Sequence, residues 1–215
     1  MRIDTEAVLN EVIDKMRDIL EIRANDIPNI ELYMDQVTTF MDEKLRYTVR
    51  AGESEEKILT KTMINNYAKN DLLPPPYKKK YSREHMMVLI FVYYFKSFLT
   101  INDIQTLLQP LTGDYFKNED GLGLCEIYDR IFDMGEIRMQ TLENNLKDTF
   151  ENVSDAFEDV PEEEAEYLRL FTYICFLSYD IFVKKMLIEQ LIDEISEKQK
   201  ERETEEKKKE KKKKS

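Results

Sequence analysis

The stretch "NDLLPPPYKKKYSREH", residues 70–85, decides how the chain must fold around its middle. It separates "TKTMINNYAK" (60–69) from "MMVLIFVYYF" (86–95), two segments with helical residue usage. Pro74, Pro75 and Pro76 lack amide donors and push the residues before them toward extended geometry, so neither helix can run through. Ser82 is placed to cap the helix that follows, and Thr60 the helix that precedes. The result is a short helix, a proline-braced loop carrying Lys78, Lys79, Lys80 and Arg83, and a helix so apolar on every side that it belongs at the centre of the domain.

Charge sets that loop apart. The formal net charge is −12, yet Lys57 to Lys96 hold eight basic residues against Asp71 and Glu84, while the preceding 56 residues sum to −7. From Asp114 to Glu166 seventeen acids face four bases, and the last twenty residues return to +4. Blocks of opposite sign suit a molecule with one surface for a polyanion and a remainder that repels nonspecific contacts.

The rest of the chain reads as helices. With 5 Gly, 6 Pro and no Trp in 215 residues, composition favours an all-α fold over turn-linked strands. Residues 3–24 carry Ile3, Ala7, Leu9, Val12, Ile13, Met16, Ile19 and Leu20 at helical spacing. In "IELYMDQVTTFMDEKL" the residues Leu32, Met34, Val37, Phe40, Met41 and Leu45 do the same, with Pro28 ahead as a helix starter. "RAGESEE" (50–56) reads as an exposed loop. "LTINDIQTLLQPL" begins a further helix at Thr100 or Asn102, burying Ile101, Ile104, Leu107 and Leu108. Leu124 to about Phe157 is amphipathic, and Glu162 to Glu197 is a long helix whose apolar residues cover more than one face, which predicts burial between neighbours. The tail "KQKERETEEKKKEKKKKS" is of low complexity and is expected to be disordered.

Helix, loop, short helix, braced basic connection and apolar helix follow the order of a helix-turn-helix with a wing-like loop. On the short helix, Met63, Ile64, Ala68 and Leu72 face a core and leave Lys61, Thr62, Asn65, Asn66 and Lys69 outward. Asparagine can pair bidentately with adenine, and lysine can reach guanine or phosphate. Lys78, Lys79, Lys80 and Arg83 would contact phosphates, giving affinity and orientation rather than sequence information. Tyr67, Tyr77 and Tyr81 are expected to pack the loop onto the core.

"LLPPPYKKKYSREH", the apolar helix and "LTINDIQTLL" together resemble the MerR-type winged helix, with its recognition helix ending in Gly-Leu-Leu-x-Pro, a basic wing and a later Leu-x-x-Ile-x-x-Leu-Leu phrase. The chain departs from that pattern at Asn65-Asn66-Tyr67, where the MerR type has Arg-Tyr-Tyr. It departs again at Lys80-Tyr81-Ser82-Arg83, in place of Gly-Tyr-Arg, and in a longer loop before the short helix. More closely, "NIELYMDQVTTFMDEKL", "KILTKTMINNYAKNDLLPPPYKKKYSREHM" and "TINDIQTLLQPL" resemble the bacterial DUF1836 family, a domain of unknown function. The resemblance implies a MerR-like winged helix-turn-helix over 27–112, while periodicity, charge and composition predict an N-terminal packing helix over 1–26, an acidic helical accessory or dimerisation region over 113–197 and a disordered charged tail over 198–215. The resemblance implies a transcription regulator that binds double-stranded DNA, and the apolar breadth of the second-half helices reads as a homodimer interface or as an intrachain helical bundle, with room for an effector that nothing in the sequence marks. A helical adaptor that binds other proteins through the wing and acidic face is the alternative.

Catalysis has little footing. His85 has no Cys or carboxylate pair at ligand spacing and is expected at the surface of a helix N-terminus, so no metal or cofactor site is read. "GLG" (121–123) lacks the strand-before, helix-after context of a phosphate loop. Cys125 and Cys175 show no metal-type spacing, no secretory signal opens the chain, and no apolar run reaches the roughly 20 residues a membrane span needs. These features predict a cytoplasmic protein with no enzymatic activity.

Overall fold

A computed structural model of the chain describes residues 4–20, 22–49, 58–118 and 121–213. The loop expected at 50–56 and Lys57 lie outside the described residues, as do the side chains of Met16, Ile19 and Leu20. Among the described residues there are seven α-helices and one two-stranded ribbon: α1 Thr5–Leu20, β1 Leu32–Tyr33, α2 Met34–Leu45, α3 Lys61–Lys69, β2 Lys80–Tyr81, α4 Arg83–Phe95, α5 Ile101–Asp114, α6 Leu124–Ser154 and α7 Glu162–Lys213. The all-α expectation holds, with one antiparallel pair added.

α4 is the hub. His85 through Val92 are buried without interruption, because other elements close around the helix on all sides, as its uninterrupted apolar sequence requires. Each large apolar side chain so enclosed contributes about 1.5–3 kcal/mol. Val37, Met41 and Leu45 of α2, Ile64 of α3, and Ile104 and Leu108 of α5 share this core, and Leu124, Tyr128 and Phe132 of α6 close it. Ile101, expected on the buried face of α5, is 41% exposed in the first turn.

α2 starts later than Pro28 suggests. Leu32 and Tyr33 are extended and pair with Tyr81 and Lys80, so Leu32 reaches the core from a strand. The Tyr33 N–H then donates to the side chain of Gln36 at 2.9 Å, closing the helix start. At α5, Thr100 is the cap: its hydroxyl accepts from the Asp103 N–H at 3.2 Å and its own N–H donates to the Asp103 carboxylate at 3.1 Å.

The N-terminal segment is stapled to α6. The Tyr128 hydroxyl donates to the Ile22 carbonyl at 2.8 Å, the Ala24 N–H to Asp129 at 2.9 Å, and Arg23 forks to Asp133 at 2.7 Å and Glu136 at 2.5 Å. α7 folds back along α6, where the Tyr173 hydroxyl donates to the Leu146 carbonyl at 3.2 Å, and then crosses α5. There Ile192 joins the core and Gln199 donates to the Thr106 carbonyl at 3.1 Å. α7 continues as helix through Lys213, where low complexity predicts disorder; the 3.5 Å pair Glu203–Lys207 shows the i,i+4 pattern that supports a solvated helix. Its apolar breadth is not buried within the protomer. α6 and α5 cover one flank, and Phe171, Tyr179, Phe182 and Met186 remain more than half exposed.

Candidate nucleic-acid interface

α3 begins where Thr60 caps it, its hydroxyl accepting from the Met63 N–H at 3.2 Å. Ile64 and Tyr67 are buried and Met63 and Ala68 half-buried, which turns Lys61, Thr62, Asn65, Asn66 and Lys69 into solvent. The helix ends in a Schellman arrangement. Asp71 adopts φ 53, and the Leu72 N–H donates back to the Tyr67 carbonyl at 2.9 Å. Leu72 and Leu73 then drop into the core.

From Pro74 the chain runs out to a two-residue hairpin. The Lys80 N–H donates to the Tyr77 carbonyl at 2.9 Å, and the two residues between them, Lys78 and Lys79, hold φ 48 and 62. Two consecutive positive φ values define a type I′ turn, whose twist matches antiparallel strands and which ordinarily calls for Asn-Gly. Both lysines are exposed. Tyr77 is 62% exposed beneath the Lys78 ammonium, 5.1 Å from its ring centre, whereas Tyr67 and Tyr81 are buried. Of the three tyrosines expected to anchor the loop, two do so.

His85 secures the base of this arm and is buried, contrary to its expected surface position. The ring closes the start of α4: its Nδ1 accepts from the Ser82 N–H at 2.9 Å, and its Nε2 donates to the Pro74 carbonyl at 3.1 Å. Tyr81 and Phe116 pack edge-on against it. Burial pulls its pKa from 6.5 down to about 4, so the imidazole is neutral at ordinary pH.

The expected contact residues divide by their surroundings. Lys61 pairs with Asp35 of α2. Lys80 lies 3.7 Å from Glu31 and 5.6 Å from the Tyr33 ring centre. Arg83 is half-buried in the first turn of α4, and its Nε is buried with no hydrogen-bond partner. Lys96, counted in the basic block, turns inward to donate to the Ile58 carbonyl at 3.1 Å, and burial lowers its pKa. Thr62, Asn65, Asn66, Lys69, Lys78 and Lys79 remain outward. Sequence reading did not single out Tyr33, which is 56% exposed beside the hairpin. The pairing of β1 with β2 brings it there, across nearly fifty residues of chain.

The sequence profile described as Domain of unknown function (DUF1836) matches residues 22–131. The chain belongs to the DUF1836 family. No curated protein and no solved structure matches it. The DUF1836 match begins at Ile22, whose carbonyl Tyr128 holds, and ends beside Phe132, the last α6 residue of the main core. The family unit therefore takes in the Ile22–Ile27 segment and the first turns of α6 as well as α2 to α5. No helix among the described residues is long and apolar enough to cross a membrane.

Proposed function

We propose that this DUF1836 protein is a cytoplasmic, non-enzymatic transcription regulator that binds duplex DNA through a winged helix-turn-helix of the MerR type. One juxtaposition carries the reading: the polar face of α3 and the lysine tip of the hairpin project from one small unit, β1–α2–α3–β2–α4. A helix of nine residues with Asn65 and Asn66 outward suits a major groove, and a hairpin tipped by Lys78 and Lys79 suits the adjoining phosphates. Asp71 supports the reading as well, since it takes the left-handed conformation at the position where the MerR pattern has Gly. Lys61 and Lys80 start in weak, exposed pairs with Asp35 and Glu31, which cost little to exchange for phosphate.

The test is fluorescence anisotropy of the full chain on its own upstream DNA and on scrambled DNA across a salt series, beside a Lys78/Lys79/Lys80→Ala variant. The reading expects sequence-preferring binding that weakens with salt, and a log–log slope reduced by about 0.9 for each phosphate contact removed. Equal and feeble binding to both DNAs, unchanged in the variant, would overturn it in favour of a helical protein-binding adaptor.

A further inference from the structure

We propose that α7 pairs antiparallel with α7 of a second copy of this chain, across an apolar belt centred on Phe182. The inference stands apart from the reading of the lysine hairpin. Between Tyr167 and Leu191, eleven large apolar side chains of α7 are 45–67% exposed. At 100° per residue these spread around much of the helix, and the six within about 80° of Phe182 (Tyr167, Phe171, Ile174, Tyr179, Phe182 and Met186) present on the order of 600 Å² if each leaves roughly 100 Å² in water. Patches on soluble monomers reach about 300–600 Å², and a standard interface takes about 800 Å² from each partner. Two copies of that face together bury roughly 1,200 Å², at the low end of a standard interface.

The neighbouring helix sets which way the belt faces. The hydrogen bond from Tyr173 to Leu146 fixes the antiparallel register of α6 and α7, and that register sets Ile137 level with Phe182 and Met134 level with Lys185. Phe182 lies nine residues from Tyr173, two and a half turns, so it points away from the α6–α7 seam and is open to a partner. Charge does not oppose its burial. Between Leu170 and Ile192 the charged residues are Asp180, Lys184, Lys185 and Glu189, which sum to zero and pair within the helix at 3.0 and 3.6 Å.

The ends of the hairpin choose the orientation. Residues 155–166, at the α6–α7 turn, hold seven acids and no base, whereas 207–213 hold six lysines and one Glu. A parallel pair would stack acid on acid and lysine on lysine. With the twofold axis at Phe182, Glu162 lies about 30 Å to one side and Lys207 about 38 Å to the other. An antiparallel pair thus sets each acidic turn level with residues 198–209 of the partner, where six bases outnumber four acids, and such complementarity favours this register over the parallel one.

Sedimentation equilibrium of the full chain at tens of micromolar is expected to give about twice 25.7 kDa. Phe182→Glu with Met186→Glu, both at exposed positions, is expected to give the monomer mass with an unchanged far-UV spectrum. Lys207/Lys208/Lys209→Glu keeps the belt and is expected to weaken the dimer about tenfold at low salt and little at high salt. In a Cys125→Ser/Cys175→Ser background, oxidised Phe182→Cys should crosslink to its own copy and Tyr167→Cys should not. A monomeric wild type, or a dimer indifferent to Phe182→Glu, overturns the interface. Crosslinking at both positions, or indifference to the tail variant, overturns the antiparallel arrangement.

Discussion

His85 and Pro74 are joined by a hydrogen bond of 3.1 Å from Nε2 to the carbonyl, which ties the proline arm to the first turn of α4. With Nδ1 accepting from Ser82, the neutral ring satisfies both sides, and an imidazolium would lose that acceptor. Its folded pKa, about 4, lies below the ordinary 6.5 because of burial, so on acidification the unfolded chain takes up this proton first. The stability His85 provides is complete above about pH 6.5 and is lost as pH falls toward 4, by about 3 kcal/mol in all. Urea unfolding at several pH values across that window checks it. His85→Asn keeps a side-chain acceptor for Ser82 and cannot titrate, so it should start less stable at pH 7 and fall less steeply than wild type. Parallel curves would refute the assignment.

Asp71 occupies the left-handed position that ends α3. A left-handed L-residue costs roughly 1–2 kcal/mol, somewhat less for Asp, and glycine removes the cost while adding freedom to the unfolded chain. Asp71→Gly is expected to stabilise by about 0.5 kcal/mol net and Asp71→Ala to destabilise by about 1 kcal/mol. Urea midpoints distinguish the two, and a gain in both variants would mean that the carboxylate, not the backbone, sets the cost.

Thr60, Ser82, Thr100 and the prolines mark helix ends through contacts within three residues, and those ends were legible in the sequence. The polar face of α3 was legible too, because Met63, Ile64 and Ala68 fix its register. What sequence hid was set at long range. β1 is a strand only because Tyr81 and Lys80 lie beside it, and Leu32 fits a helical stripe equally well. Arg83 and Lys96 belong to the basic block by composition, but Arg83 is half-buried and Lys96 turns inward to the Ile58 carbonyl. His85 looked exposed because a helix start usually is, and Phe116, thirty-one residues later, covers it.

Pro110 has no N–H to give the Thr106 carbonyl four residues back, and Gln199 of α7 donates to that carbonyl instead. A helix defect in α5 thus becomes a docking point for α7. Gln199→Leu is expected to cost about 1 kcal/mol by leaving the carbonyl without its partner. Pro110→Ala restores the helical donor, so Gln199→Leu should cost about 0.5 kcal/mol less in that background. A double-mutant cycle by urea unfolding measures the coupling, and strictly additive effects would show that the carbonyl is satisfied another way.

Lys78 and Lys79 hold the hairpin tip in conformations that suit Asn-Gly far better than lysine. Lys78→Asn with Lys79→Gly keeps the turn and relieves that cost, so the folded state should gain about 1 kcal/mol. The same change removes two outward charges, and if the tip rides phosphate, DNA affinity should fall and the salt slope should drop by about 1.8. Stability and binding thus move in opposite directions in one protein. Lys78→Arg with Lys79→Arg is the complement, since it retains both charge and strain and should leave affinity and stability near wild type. Melting temperature and anisotropy on the same samples decide the matter. A stabilised Asn-Gly variant that binds DNA as tightly as wild type would remove the hairpin from the interface and leave the strain at its tip without that explanation.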